Sequence, residues 1–145
     1  MSVPPLHALL LDADQSGAFY LTAADLPALQ DAATDSGLHL VTMDLADCRD
    51  KRALLQQFAD AFAFPPDIGH TWDALADALG DLSWLPAEGY VLTLSNLDAL
   101  RDAAPDELAS LVSVLEDCSL QWRELGRPFW TFLALADDEF SQMPV

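Results

Sequence analysis

Two aspartates in the middle of the chain are the residues whose type and spacing could do chemistry. Asp73 and Asp77 lie four residues apart in FPPDIGHTWDALADALGDLSWLP, residues 64–86. Four residues are about one helical turn, so both carboxylates would share one stripe of a helix. No Lys or Arg occurs between Arg52 and Arg101, which leaves the stripe without a nearby cation in the sequence. Paired carboxylates can serve acid–base catalysis, meet a cationic partner, or form a solvated surface.

A catalytic site is the first alternative to consider. His70 precedes the predicted helix, and a His–Asp pair there could transfer protons. However, the sequence has no nucleophile elbow, no P-loop and no dinucleotide fingerprint. His7 and His39 fall in or beside predicted strands, where we expect structural roles. We therefore expect no enzyme. A small α/β enzyme that uses Asp73, Asp77 and His70 in a cleft stays open as the alternative.

The cysteines do not point to a metal or a cofactor. Cys48 and Cys118 lie in unrelated segments, and neither belongs to a CxxC or CxxH pair. We expect two buried, reduced thiols, with no metal site and no cofactor.

The net charge of the chain limits the classes of molecule that it could bind. The 145 residues include 24 Asp and Glu against 6 Lys and Arg, a net charge of −18. This charge argues against nucleic acid and against anionic membranes as partners. It suits either a basic partner or a surface that only maintains solubility. The N-terminus has no Lys or Arg and only a short apolar run, so we expect no signal peptide and a cytoplasmic location.

Strand and helix patterns alternate along the chain. Strands are predicted at 7–13, 17–21, 38–45, 89–96 and 128–135, and helices at 22–37, 47–64, 71–79 and 105–126. Pro27 moves the start of the first helix toward Leu26, and Gly37, Gly80 and Gly126 are predicted helix stops. The alternation predicts the α/β class, with a small parallel sheet of three to four strands and covering helices.

The short helix has two distinct faces. A buried face is predicted from the spacing of Trp72, Leu75, Ala76 and Leu79. The two aspartates fall on a neighbouring stripe about 100° away, so we expect them to be exposed. Thr71 is predicted to cap this helix.

The stretch from Phe64 to Pro86 resembles the barstar family of ribonuclease inhibitors. The resemblance rests on the Pro, the Gly-containing loop, the WDALADAL helix and the Trp-containing loop that follows. It extends from HLVTMDLADCRDKRALLQQF to GRPFWTFLAL. It implies a barstar-like domain at 38–136, an N-terminal extension at 1–37 that packs on it, and a flexible tail at 137–145. Longer bacterial members carry such an extension.

The resemblance also implies the binding residues. Asp77 would enter the phosphate pocket of a basic ribonuclease, extracellular or a toxin, with Asp73 as its companion one turn earlier. Gly69 and Thr71 match contact positions of the preceding loop, and Trp72 matches an apolar position of the helix. The loop after the helix is matched by Gly80, Asp81 and Leu82. The implied function is a monomeric inhibitor, as in toxin immunity. An acidic adaptor for a partner that is not a nuclease stays a further alternative.

The sequence departs from the family pattern at four positions. Asp67 and Ile68 stand where one or two aromatics usually precede the loop glycine. Thr71 replaces a common Asn, and Ala76 replaces an aromatic that can follow DAL. Each of these differences removes an expected packing contact with the enzyme.

Overall fold

The computed structural model describes residues 9–66, 68–69 and 71–135. These residues form five α-helices: α1 Leu26–Asp35, α2 Lys51–Ala61, α3 Trp72–Asp81, α4 Asp98–Ala103 and α5 Pro105–Glu124. They also form four strands: β1 Ala18–Thr22, β2 His39–Asp44, β3 Tyr90–Ser95 and β4 Phe129–Leu135. The predicted α/β class with a small parallel sheet is confirmed.

All four strands are parallel, and their order across the sheet is β1-β4-β3-β2. Every residue of β4 is buried, as are the first five residues of β3. Mostly apolar strands that are buried in this way need helices on both faces of the sheet. The two strands at the centre of the sheet therefore fix the layered architecture.

Each face of the sheet has its own apolar cluster. On the first face, Leu92, Leu94 and Leu133 pack with residues of α2, α3 and α5. On the second face, Val91, Trp130 and Phe132 pack with Leu10 and with Leu29 of α1. The helix that carries the two aspartates therefore lies on the first face, and the N-terminal segment covers the second.

The N-terminal segment is joined to the rest of the molecule by backbone groups as well as by packing. β1 pairs with β4 in register from Ala18 opposite Thr131. Trp130 Nε1 donates to the Leu10 carbonyl at 2.8 Å, and Arg123 donates to the carbonyl of Ser16. The segment that precedes β2 thus supplies an edge strand of the sheet and the cover of one face.

The predicted strand at 7–13 is wrong where the structure describes it. Leu9 and Leu10 are helical, and Ala13–Gln15 forms a 3₁₀ turn. The turn forms because the Asp12 side chain accepts a hydrogen bond from the Asp14 N–H at 3.1 Å. His7 lies outside the described residues, as does the predicted tail at 137–145.

Several helix ends follow the predicted signals. α1 begins at Leu26, as Pro27 indicated, and the Thr22 hydroxyl donates a hydrogen bond to the Asp25 carboxylate just before it. Gly37 and Gly126 have positive φ angles of 77° and 73°, as helix stops require. The described part of the chain includes no helix with the length and apolar character needed to cross a membrane.

Candidate partner-binding surface on helix α3

Helix α3 begins where the sequence predicts. The Thr71 side chain accepts a hydrogen bond from the Ala74 N–H at 3.0 Å and caps the helix. The cap satisfies one of the amide groups that a helix start leaves without a partner. Asp73 follows in the first turn, where the helix dipole favours a negative charge.

The outer face of α3 carries three acids in a row. Asp73, Asp77 and Asp81 are exposed and follow each other at intervals of four residues. We call these three residues the acidic stripe. Neither Asp73 nor Asp77 has an ion pair with any residue in the part of the chain that the structure describes. The predicted exposure of both aspartates is confirmed, and Asp81 extends their row.

The inner face of α3 is buried in the first apolar cluster. Leu75, Ala78 and Leu79 are buried, whereas Trp72 and Ala76 are half-buried. The Trp72 indole donates to Glu107 of α5 at 3.1 Å, and the Lys51 ammonium of α2 lies 5.8 Å from the centre of its ring. The start of α3 is thus held to two neighbouring helices.

The predicted stop at Gly80 is wrong. α3 continues to Asp81 and ends at Leu82, which has a left-handed φ of 46°. Gly80 and Asp81 are therefore helical, and Leu82 is 1% exposed. A residue with a side chain is strained in this conformation, and the burial of Leu82 in the core offsets that strain.

Two donors from α5 fix the end of α3. The Leu79 carbonyl is one of the last four of the helix, which have no intrahelical partner. It accepts hydrogen bonds from Trp122 Nε1 at 2.8 Å and from Cys118 Sγ at 3.5 Å. Both side chains are buried. The acidic stripe is therefore carried by a helix that the core holds at both ends.

The loop before α3 is held by aromatic side chains. Ile68 N–H bonds to the Pro65 carbonyl at 3.2 Å and closes a turn. Phe64 packs edge-to-face on Trp84 at 5.9 Å, and Trp84 Nε1 donates to the Phe62 carbonyl at 2.9 Å. Asp67 and His70 lie outside the described residues.

Three of the predicted site residues border one shallow groove. Gly69, Asp77 and Asp81 line it together with Ile68 and Trp84. Asp73 and Thr71 do not line this groove, and they lie exposed at the start of the helix. Sequence reasoning did not predict that Trp84 lines this groove. Its partners, Phe62 and Phe64, lie about twenty residues earlier, and such a contact leaves no local pattern in the sequence.

Neither thiol is exposed at this surface, although Cys118 supports the end of α3 from the core. Burial raises the pKa of Cys118 to about 12, and burial together with the nearby Asp50 carboxylate raises the pKa of Cys48. Both thiols are buried and stay protonated near neutral pH. Within residues 9–66, 68–69 and 71–135, no group of three His, Cys, Asp or Glu side chains is placed to hold a metal ion.

The family is decided by a comparison with family models. The model described as barstar, the barnase inhibitor, matches residues 38–134, which is more than half of the chain. The chain belongs to the barstar family. It has further residues before the barstar match, as the predicted N-terminal extension requires. Barstar-family members are inhibitors and not enzymes, and a ribonuclease is the partner that the family implies in general.

Other comparisons concern the fold alone. A search of curated proteins found no match. Among solved structures, the chain is similar to the Aeropyrum pernix ORC2 protein, with a TM-score of 0.54 and 13% identity. The match covers 87% of this barstar-family chain and 36% of the ORC2 chain. At this identity the likeness shows a shared α/β arrangement only.

Proposed function

We propose that this protein inhibits a small basic ribonuclease by placing the acidic stripe of α3 and the preceding loop in its active site. The observation that carries the proposal is the stripe itself. Three exposed carboxylates, Asp73, Asp77 and Asp81, project from a helix whose inner face and both ends are fixed. Carboxylates held in this way can take the positions of RNA phosphates among the cations of an enzyme.

Asp77 is the acid that we assign to the phosphate pocket. It lies in the middle of α3 and lines the groove with Gly69 and Asp81. Asp73 lies one turn nearer the helix start, so we assign it to the rim of the contact. Thr71 and Gly69 would contact the enzyme from the loop, and Trp72 from the half-buried edge of the helix. At the other end we assign Gly80, Asp81 and the backbone of Leu82.

The overall charge supports a basic partner. A net charge of −18 attracts a cationic enzyme and speeds its encounter. We propose a cytoplasmic monomer that neutralises a ribonuclease, either one made for secretion or a toxin delivered by another cell. The protein would then act as an immunity factor, without a cofactor and without catalysis of its own.

Two alternatives remain as other functions of the same surface. An enzyme would hold Asp73, Asp77 and His70 in a cleft, whereas both aspartates are exposed on the outer face of α3. An acidic adaptor would use the same stripe for a partner that is not a nuclease. The exposed stripe favours the inhibitor and the adaptor over the enzyme.

The first experiment is an inhibition assay. Small basic ribonucleases, including any encoded beside this protein, are titrated against it with a fluorogenic RNA substrate. We expect at least one to be inhibited with one inhibitor per enzyme. Tight binding of a basic protein that is not a ribonuclease would instead favour the adaptor. Neither binding nor inhibition across the panel would contradict the proposal.

A second experiment tests the part of each acid. Asp77→Ala should weaken binding by about 2–5 kcal/mol, a range whose best-studied instance is the barnase–barstar complex of this same family. Asp73→Ala should cost less, since Asp73 lies nearer the rim. Asp31→Ala, on the exposed side of α1, is the matched control. Equal small losses for all three variants would reject insertion of the stripe and leave only a general acidic field.

A further inference from the structure

The first strand leaves one edge of the sheet open. β1 lies at the end of the strand order and pairs with β4, with Ala18 opposite Thr131. The Thr131 N–H donates to the Gly17 carbonyl at 2.9 Å, so the backbone groups of Gly17 and Phe19 face β4. Because these groups alternate in direction along a strand, those of Ala18 and Tyr20 face outward. Within residues 9–66, 68–69 and 71–135, no hydrogen bond satisfies these outward N–H and C=O groups.

The residues of β1 do not protect this edge. Natural proteins shield open edges with charged side chains, with proline, with a bulge or with a covering segment. The strand reads AFYLT, which contains neither a charge nor a proline, and Phe19 and Tyr20 are 45% and 41% exposed. An uncharged edge with exposed aromatic side chains can accept a further strand.

A groove runs beside this edge, between β1 and helix α5. Ala18 and Phe19 line it from the strand, and Leu120, which is 50% exposed, lines it from α5. We call this groove the edge groove. A strand that pairs with β1 would therefore also contact α5.

The charge of the edge groove is negative. Its lining includes the exposed carboxylates of Asp14 and Glu116. Arg123, the cation among its lining residues, donates a hydrogen bond to the Ser16 carbonyl. Two carboxylates outweigh one guanidinium, so the edge groove attracts basic side chains.

The two faces of the sheet determine the pattern of an added strand. Phe19 lies on the second face, with its ring 5.7 Å from that of Trp130 and 6.2 Å from that of Phe132. Ala18 packs against the first apolar cluster, on the face that α5 covers. Successive side chains of a strand alternate between the two faces. Those beside Phe19 meet an aromatic surface and those beside α5 meet carboxylates, which favours apolar and basic side chains in alternation.

The charge also discriminates between two kinds of occupant. Pairing of β1 with β1 of a second copy would bring together two molecules that each carry a net charge of −18. Such molecules repel each other, whereas a basic segment of another protein is attracted.

We propose that the outer edge of β1 is a docking site for an extended segment of a partner protein, in which apolar and basic side chains alternate. The segment adds a fifth strand to the four-stranded sheet. Its backbone hydrogen bonds provide affinity, and its alternating side chains provide selectivity. This inference does not depend on the proposed function, because the edge groove shares no lining residue with the groove beside Asp77 and Asp81.

The experiment uses the full chain and a capped, fluorescein-labelled peptide that alternates Val and Lys over the length of β1. Fluorescence anisotropy at physiological salt gives its affinity, and a peptide with the same residues in two blocks is the control for charge. Tyr20→Pro removes the outward N–H without removing a bond to β4, a change that edge strands tolerate. Tyr20→Val loses the same ring and keeps the N–H. Hydrogen exchange of the Tyr20 amide in the unchanged protein, with and without peptide, makes the test independent of how a variant folds.

We expect the alternating peptide to bind more tightly than the blocked one and to slow exchange of the Tyr20 amide. Tyr20→Pro should bind about tenfold or more weakly than Tyr20→Val, because an acceptor of the peptide loses its donor. Glu116→Lys should weaken binding more than Asp31→Lys, which makes the same change on the exposed side of α1.

Equal binding of the two peptides, or of Tyr20→Pro and Tyr20→Val, would refute the docking site, as would unchanged exchange of the Tyr20 amide. A dimer in sedimentation equilibrium that Tyr20→Pro dissociates would assign the edge to a second copy and refute the basic segment. None of these results alters the outcome of the ribonuclease inhibition assay, so the two proposals fail separately.

Discussion

The N-terminal segment offers a test of how the molecule folds, and Leu29→Ala is the sharpest change to make there. Leu29 lies in α1, is 4% exposed, and packs in the second apolar cluster. Its neighbours in that cluster include Val91 and Trp130 of the central strands. The variant tests whether α1 unfolds together with the barstar-like domain as one cooperative unit or unfolds independently of it.

The expected loss of stability in Leu29→Ala follows from the burial of the Leu29 side chain. Truncating a buried Leu to Ala costs about 2–5 kcal/mol through lost transfer energy and the cavity left behind. A chain of this size loses about 2–4 °C in melting temperature per kcal/mol, so the expected fall is about 4–20 °C. Leu115→Ala, in the first cluster on α5 and fully buried, should cost a similar amount. Leu125→Ala is the surface control, because Leu125 is 67% exposed, and it should stay within about 0.5 kcal/mol.

Hydrogen exchange provides the deciding measurement. If the molecule is one cooperative unit, Leu29→Ala should speed exchange of the slowest amides of α5, on the far side of the sheet, as much as Leu115→Ala does. If the segment only rests on the domain, faster exchange should be confined to residues 9–37. If Leu29→Ala leaves the exchange rates of the α5 amides unchanged and melts at the same temperature as Leu125→Ala, the cooperative unit is refuted.

Three further predictions concern the end of α3, alkaline pH and salt. Trp122→Phe removes one of the two donors to the Leu79 carbonyl and should lower the free energy of unfolding in urea by about 1–3 kcal/mol. An equal unfolding midpoint for variant and parent would contradict this expectation. The raised pKa of Cys118 means that the folded protein keeps a proton which the unfolded chain loses between pH 9 and about 12, so stability should fall across that window. Cys118→Ala should flatten the fall, and an unchanged slope would contradict the assignment. Association with the ribonuclease should slow as salt rises while dissociation changes less, whereas association rates that stay flat with salt would exclude steering.

Much of the fold could be predicted because local and tertiary preferences agree. The longest helix was predicted from Pro105 at its start and Gly126 at its stop. In the structure, α5 begins at Pro105, and Gly126 lies just past its end with a positive φ. Strands β3 and β4 are mostly apolar and almost entirely buried, as a sheet covered on both faces requires. In these segments the side chains that favour the element are also those that the core buries.

Other segments could not be assigned from local signals. The leucines near residue 10 suit a helix as well as a strand, and the capping carboxylate of Asp12 determines the turn that follows. Gly80 is a common stop signal, but α3 runs one residue further because Leu82, which follows the helix, is buried in the core. Helix α4 was not predicted at all, since six residues are too few to show a clear period.

The candidate surface likewise has one part that could be predicted from the sequence and one part that could not. The exposure of Asp73 and Asp77 follows from a period of 3.6 residues within one helix. The groove beside Asp77 and Asp81 cannot be predicted in this way, because it depends on Trp84, which packs on Phe64 from a distant segment. Contacts between segments that are distant in sequence leave no periodic signal.

The contacts that hold α3 in the fold explain how the helix tolerates its charges. Like charges four residues apart cost only a few tenths of a kcal/mol each, and Asp73 recovers part of this from the helix dipole. The inner face contributes far more, since each fully buried leucine is worth about 1.5–3 kcal/mol, and Trp122 and Cys118 hold the last turn. None of these stabilising contacts uses the acidic stripe. The acids of α3 are therefore available for the proposed ribonuclease contact at little cost to the stability of the helix.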